Sequence, residues 1–144
     1  MKPPGSSDVL VDELYATTQR LRTYVDARLR EHGASVARLR AMRMLAAAPE
    51  PLRMRDLSEM LGVAARTATT VVDSLERDGL VERVRHPLDR RAFLLALTPL
   101  GRERHTEAEV VDRDALAVAT GGLDPEGRAR LRELLATIRA AVVD

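Results

Sequence analysis

The chain has 144 residues, a formal net charge of +1, no cysteine and no tryptophan. That length fits one domain, or a small domain with helical extensions. The lack of cysteine excludes a disulfide framework, a thiol nucleophile and a cysteine redox switch, and no run of about eighteen apolar residues offers a transmembrane helix.

A charge this near zero does not by itself argue for nucleic acid. Every one of the 23 basic residues except Lys2 is arginine. GC-rich coding accounts for that total, so only the placement of particular arginines carries information. Phe93, Tyr15 and Tyr24 are the only phenyl or phenol rings, and the core must therefore rest on Leu, Val, Ala and Met.

Residues 1–7 lack the apolar stretch of a secretory signal and read as a short disordered lead, so a cytoplasmic protein is expected. From Asp8 to about Glu31, Leu10, Leu14, Thr18, Leu21, Val25 and Leu29 fall on one stripe of a long helix. Ser7 or Asp8 can cap it and Gly33 stops it. At about 1.5 Å per residue it spans roughly 35 Å, more than a small core covers. A second helix fits Ser35 to about Ala48, with Val36, Leu39, Met42 or Arg43, and Leu45 inward; Pro49 and Pro51 end it.

A compact pair follows. Met54, Leu57 and Leu61 share one face of a short helix, Gly62 turns the chain, and Ala68, Val71, Val72 and Leu75 repeat at helical spacing over about 64–78. Two short helices around a tight glycine turn form a helix-turn-helix. The second directs Arg66, Thr69, Thr70, Asp73 and Arg77 away from its core. Residues 80–98 then carry two apolar runs around a tip with Pro87, Asp89, Arg90 and Arg91, the pattern of a charged hairpin. Helix followed by hairpin is the layout of a winged helix-turn-helix. An arginine tip suits a narrow, negative minor groove, and the preceding helix suits a major groove.

Thr98-Pro99-Leu100-Gly101-Arg102-Glu103 supplies an N-cap, a proline at the first helical position and an early carboxylate, opening a helix to about Thr120. Gly121-Gly122 breaks it. Asp124-Pro125-Glu126 starts a last helix through Leu131, Leu134, Leu135, Ile138 and Val142. The first helix and these last two carry apolar stripes without enough local partners; interlocking in a two-fold dimer would bury them. A monomer folding its helices back onto the winged unit is the competing arrangement.

The order of elements resembles the MarR family of bacterial transcriptional regulators. The residues that carry the resemblance are 57–63 (Leu57-Ser58-Glu59-Met60-Leu61-Gly62-Val63), 71–83 (Val71 to Arg83), the tip 86–92 (His86-Pro87-Leu88-Asp89-Arg90-Arg91-Ala92) and Leu97-Thr98-Pro99-Leu100-Gly101. The fold class that follows is mainly α: a winged helix-turn-helix over 35–98 with a small β-hairpin wing, plus long N- and C-terminal dimerisation helices over 8–34 and 99–144. Two departures concern the short helices. Arg53 and Ala64 stand where Ser or Thr usually caps, at about 1 kcal/mol each, partly offset by Asp56 in the first turn. Ser58 and Ala68 replace the usual Ala and a larger apolar residue, which predicts a loosely packed pair.

The resemblance implies that one wing arginine, Arg90 or Arg91, enters the minor groove while Asp89 holds the wing in shape. Arg66 suits a guanine, and Thr69 and Thr70 suit a phosphate or a thymine methyl. Ser74 is expected to meet DNA backbone, as are Arg85 and His86. Asp73 would repel phosphate and is assigned to an intramolecular pair with an arginine. The resemblance also places Tyr15, Tyr24, Met42 and Met44 beside a cleft for a small aromatic or phenolic effector, although ordinary core and interface packing is the preferred reading at each position. His32, His86 and His105 have no second ligand at metal spacing and read as surface residues, so neither metal nor cofactor is expected. Nothing resembles a nucleophile–base pair or a phosphate-cradling glycine loop, so no enzyme is expected.

The resulting expectation is a homodimeric, sequence-specific regulator of double-stranded DNA. It would bind an inverted-repeat operator as a repressor, relieved by a small-molecule effector, with no membrane partner. The alternative is a winged-helix adaptor that binds proteins without reading DNA.

Overall fold

The computed structural model describes residues 8–142; the lead expected over 1–7 lies outside them. Helix α1 runs Val9–Arg30 and α2 Val36–Ala47, a two-residue strand β1 occupies Leu52–Arg53, and α3 (Met54–Leu61) and α4 (Ala65–Arg77) follow. The hairpin is β2 (Val81–Arg85) and β3 (Phe93–Leu97), and the chain closes with α5 (Pro99–Thr120) and α6 (Pro125–Ala141). None of these helices is long and apolar enough to cross a membrane.

Local chemistry explains the boundaries. The side chains of Asp8, Ser35, Thr98 and Asp124 accept from main-chain N–H groups of Leu10, Arg38, Gly101 and Gly127, capping α1, α2, α5 and α6. Arg53 and Ala64 provide no such bond, so α3 and α4 begin uncapped. Gly62 ends α3 at φ 67°, a left-handed conformation that glycine adopts without strain, and so sets the angle of the helix-turn-helix.

Two cores result. One joins Ala41, Met42 and Leu45 of α2 to Leu57, Leu61, Val72, Leu75, Leu80, Val81, Leu95 and Leu97. The other joins Val25 and Leu29 of α1, Leu39 of α2, and Ala108 and Ala115 of α5. Helix α2 therefore belongs to both. Met42 is buried, while Arg43 donates from Nε and Nη2 to the two Glu109 oxygens at 2.7 and 3.0 Å and reaches Asp112 at 3.3 Å. Its hydrogen bonds hold the Glu109 carboxyl below its usual pKa. The α1–α2 corner is fixed in the same manner. Asp26 accepts from the Val36 N–H at 2.9 Å and from Arg30 Nε at 2.6 Å, which lowers its pKa.

The sheet has strand order β1-β3-β2, antiparallel throughout. Strand β1 is absent from the sequence pattern, because two residues after a proline show no alternation; the backbone partners of Leu95 and Leu94 make it a strand. The small side chains at 58 and 68 do not open the helix pair: Leu57, Ala68, Val72 and Leu75 are all fully buried, and Ser58 Oγ donates to the Arg55 carbonyl at 2.9 Å. The looseness expected there is not seen at the protein surface.

The joint between hairpin and α5 is the tightest contact. Thr98 N–H donates to the Leu80 carbonyl at 3.1 Å and Thr98 Oγ1 to the Gly79 carbonyl at 2.6 Å, while the Gly101 N–H donates to Thr98 Oγ1 at 3.0 Å. Gly101 is buried, and a Cβ there would overlap the Leu80 carbonyl oxygen. We predict that Gly101→Ala lowers stability by about 1–3 kcal/mol or more, because main chain must move to admit the methyl. Denaturant unfolding beside the parent chain checks this; an unchanged midpoint would disprove the close approach.

Candidate nucleic-acid interface

Helix α4 presents Arg66, Thr70, Asp73 and Arg77 on one exposed outer line, with Ala68, Val72 and Leu75 buried opposite. Thr69 and Ser74 sit half-buried on the flanks. Thr69 and Thr70 donate to the carbonyls of Ala65 and Arg66 at 2.9 and 3.0 Å, so the hydrogen of each hydroxyl is committed within the helix. In these rotamers each hydroxyl is left with acceptor capacity and no hydrogen to donate elsewhere. Arg66 makes no side-chain hydrogen bond or ion pair among the described residues. Thr67, exposed in the first turn, joins this surface; its position beside Arg66 was the available signal.

Two carboxylates on α4 work against DNA, and the structure neutralises both. Arg83 of β2 donates from Nη2 to Asp73 at 2.6 Å and from Nε to Glu76 at 3.0 Å. The intramolecular partner expected for Asp73 is thus Arg83. Strand alternation explains the reach: Arg83 pairs across from buried Leu95 and so lies on the sheet face that meets the helix.

The wing tip is ordered by its own side chains. His86 Nδ1 accepts from the N–H groups of Leu88 and Asp89 at 3.1 and 3.0 Å, and Asp89 accepts from the Arg91 N–H at 3.0 Å. Main-chain bonds from His86 to Ala92 and from Ala92 to Asp89, both 3.1 Å, close the loop. Asp89 therefore holds the wing through backbone, and neither Arg90 nor Arg91 pairs with it by side chain among the described residues. Both arginines are exposed, as is Arg85 at the end of β2.

The histidines separate. His32 is exposed, but His105 is half-buried with Nε2 3.1 Å from Glu109 Oε1, so it is not the plain surface residue expected. The signal was the His105–Glu109 spacing of four. No group of three or more possible metal ligands occurs among the described residues.

The four cleft candidates do not converge. A cavity of about 460 Å³ between the α1–α2 turn, α2, the end of α4 and the start of α5 is lined by Met42 together with Ala34, Arg38, Leu80, Leu100 and Arg104. Tyr24 lines a different groove between α1 and α5, Met44 packs on the winged core, and Tyr15 is exposed. Arg38 pairs with Asp78 at 2.8 Å, and its Nε is buried without a partner.

A helix-turn-helix whose second helix carries an open polar line, beside a hairpin with an arginine tip, defines a winged helix-turn-helix DNA-binding protein. The MarR family model matches residues 32–92. The HTH-type transcriptional regulators YdgJ and YkoM of Bacillus subtilis (strain 168) are 30% and 27% identical, each over 74% of this chain and over 65% and 68% of their own lengths. The transcriptional repressor CouR, solved bound to a 23-mer DNA duplex, is 26% identical with a TM-score of 0.82, covering 96% of this chain and 98% of that one. Over residues 32–92 the chain thus carries a MarR-type winged helix-turn-helix, and across most of its length it is similar to DNA-binding regulators of transcription.

We predict that Arg83→Ala lowers stability by less than about 1 kcal/mol, since the pair is largely exposed, yet weakens DNA binding roughly tenfold or more by freeing two carboxylates. Melting and DNA titration of the same variant measure both; stability loss without affinity loss would reject the masking role.

Proposed function

We propose that the chain is a homodimeric, sequence-specific repressor. Its two α4 helices would enter successive major grooves of an inverted repeat, roughly 34 Å apart, and its wings the flanking minor grooves. The observation that carries base reading is Arg66, without a side-chain partner among the described residues, on the outer line of α4, in a chain whose wing tip is fixed by His86 and Asp89. In this reading Arg66, Thr69 and Thr70 meet base edges, Ser74, Arg85 and His86 meet backbone, and Arg90 or Arg91 enters the minor groove. The similarity to CouR, a repressor bound to DNA, supports the repressor sense. A small aromatic or phenolic effector suits the cavity beside Met42 and Arg38; binding there would shift the spacing of the two arms.

Dimerisation rests on α6, a helix of 17 residues with none buried, and on α1, whose residues 9–20 are all exposed. Leu10, Leu14, Leu131, Leu134 and Ile138 stand open in the protomer, and a second copy would cover them. Sedimentation is expected to give about twice the chain mass at micromolar concentration, and removal of 124–144 to abolish it. A stable, folded monomer of the full chain would reject this.

For DNA reading, a duplex selected by the protein from a random pool is compared with random DNA across salt concentrations. Arg66→Ala should relax preference at one base pair per half-site, whereas Arg85→Ala should weaken both duplexes alike and flatten the salt slope by roughly one counterion per contact. Replacing Arg90 and Arg91 together should weaken the selected duplex by about 1–3 kcal/mol. Unchanged affinity in that double variant would remove the wing as a reader, and no enrichment of any duplex would favour a protein-binding adaptor.

A further inference from the structure

Pairing of β1 with β3 sets Arg53 opposite Leu94, which itself lies across from Val84 near the base of the wing. This brings Arg53 Nη2 to 3.3 Å from His86 Nε2, at a half-buried position. The contact has the length of a hydrogen bond, but proton accounting removes it. His86 Nδ1 already receives two main-chain N–H groups, from Leu88 and Asp89, and a ring nitrogen that accepts carries no proton. The proton of the neutral ring is therefore on Nε2. A guanidinium has donors only. Nε2–H and the Arg53 Nη2 group thus stand donor beside donor, and neither side chain has a carboxylate or carbonyl partner among the described residues.

Two half-buried donors that converge without an acceptor form a fork for an oxyanion. We propose that Arg53 and the Nε2–H of His86 together hold one non-bridging phosphate oxygen of the DNA backbone. The proposal rests on the DNA-binding reading and deepens it. It adds Arg53, a residue on the short strand, as a positioning contact, and it fixes which His86 nitrogen faces the phosphate. It also gives the latch of the wing tip a second consequence. The bonds that order Leu88 and Asp89 force the ring proton onto the nitrogen that can donate, so tip and phosphate contact are set by one tautomer. The start of α3 at the next residue, uncapped by any side chain, adds positive main-chain potential on the same side.

The test uses a duplex that the unaltered chain has enriched from a random pool, with an uncharged methylphosphonate placed at one phosphate at a time, in a salt series. One position per half-site should weaken the unaltered protein roughly tenfold or more, as expected for a charge-assisted hydrogen bond. Arg53→Gln should weaken the native duplex by a similar factor, flatten the salt slope by roughly one counterion per protomer, and lose nothing further at that one position. Arg53→Lys should keep the slope. Nitrogen NMR of the His86 ring should show a protonated Nε2 whose signal moves on adding DNA. Full affinity and slope in Arg53→Gln, a proton on Nδ1, or losses that add at every methylphosphonate would overturn the proposal. Inorganic phosphate moving the His86 signal while Arg53→Gln leaves DNA binding untouched would assign the fork to a free anion and overturn it too. The scan on unaltered protein does not depend on any variant folding. Failure of the parent reading looks different: no duplex is enriched at all, and both ideas fall together.

Discussion

Where α5 meets the turn after α4, two stretches of main chain come closer than any side chain would permit. Gly101 permits the approach by having no Cβ, and Thr98 donates the hydrogen bonds to the carbonyls of Gly79 and Leu80. Everything on either side inherits its direction from that joint. The winged unit ends there, the long helix α5 begins there, and Leu80, Leu97 and Val81 around it are buried in the winged core. A looser joint would let α4 and the wing pivot independently of α5. As built, α2 reinforces it by contributing to both cores and by tying Arg43 to Glu109 and Asp112.

Electrostatics on the exposed side follow a different logic. No single ion pair there contributes much to stability, because Arg83, Asp73 and Glu76 all remain partly in water. Their value lies in what they leave free. Arg83 offsets the negative charge of Asp73 and Glu76 on α4, and Asp89 is satisfied by a backbone N–H, so Arg66, Arg90 and Arg91 remain uncommitted among the described residues. The wing shows the same economy of roles: histidine and aspartate shape the loop, and arginines face out.

Much of this was legible in the sequence, for reasons that are local. Helical spacing, glycine stops and Ser, Thr or Asp caps gave the helices nearly to the residue, and Thr98-Pro99 with Gly101 marked the start of α5. The outward line of α4 follows from its buried line. What escaped depends on distant partners. Strand β1 exists only because Leu94 and Leu95 lie beside it, and Arg53 looked like a failed cap because its neighbour, His86, is 33 residues away. Arg83 could be one of many candidates for Asp73 until strand alternation chose it. The cleft residues failed for a related reason: Tyr15, Tyr24, Met42 and Met44 are close in sequence but face different surroundings once α1 and α2 turn.

The cationic groups of this surface share one chemical property. Among the described residues all of its permanent cations are guanidiniums, since the single lysine, Lys2, lies outside them. A guanidinium keeps its proton throughout the range in which proteins are folded, and it is not the amine that acylating enzymes and reagents neutralise. The attraction between this face and a polyanion is therefore permanent from the moment the chain is made. It cannot be dialled down by acetyl transfer to these side chains or by a rise in pH within that range, so what sets its strength is where the guanidiniums stand and how much salt surrounds them.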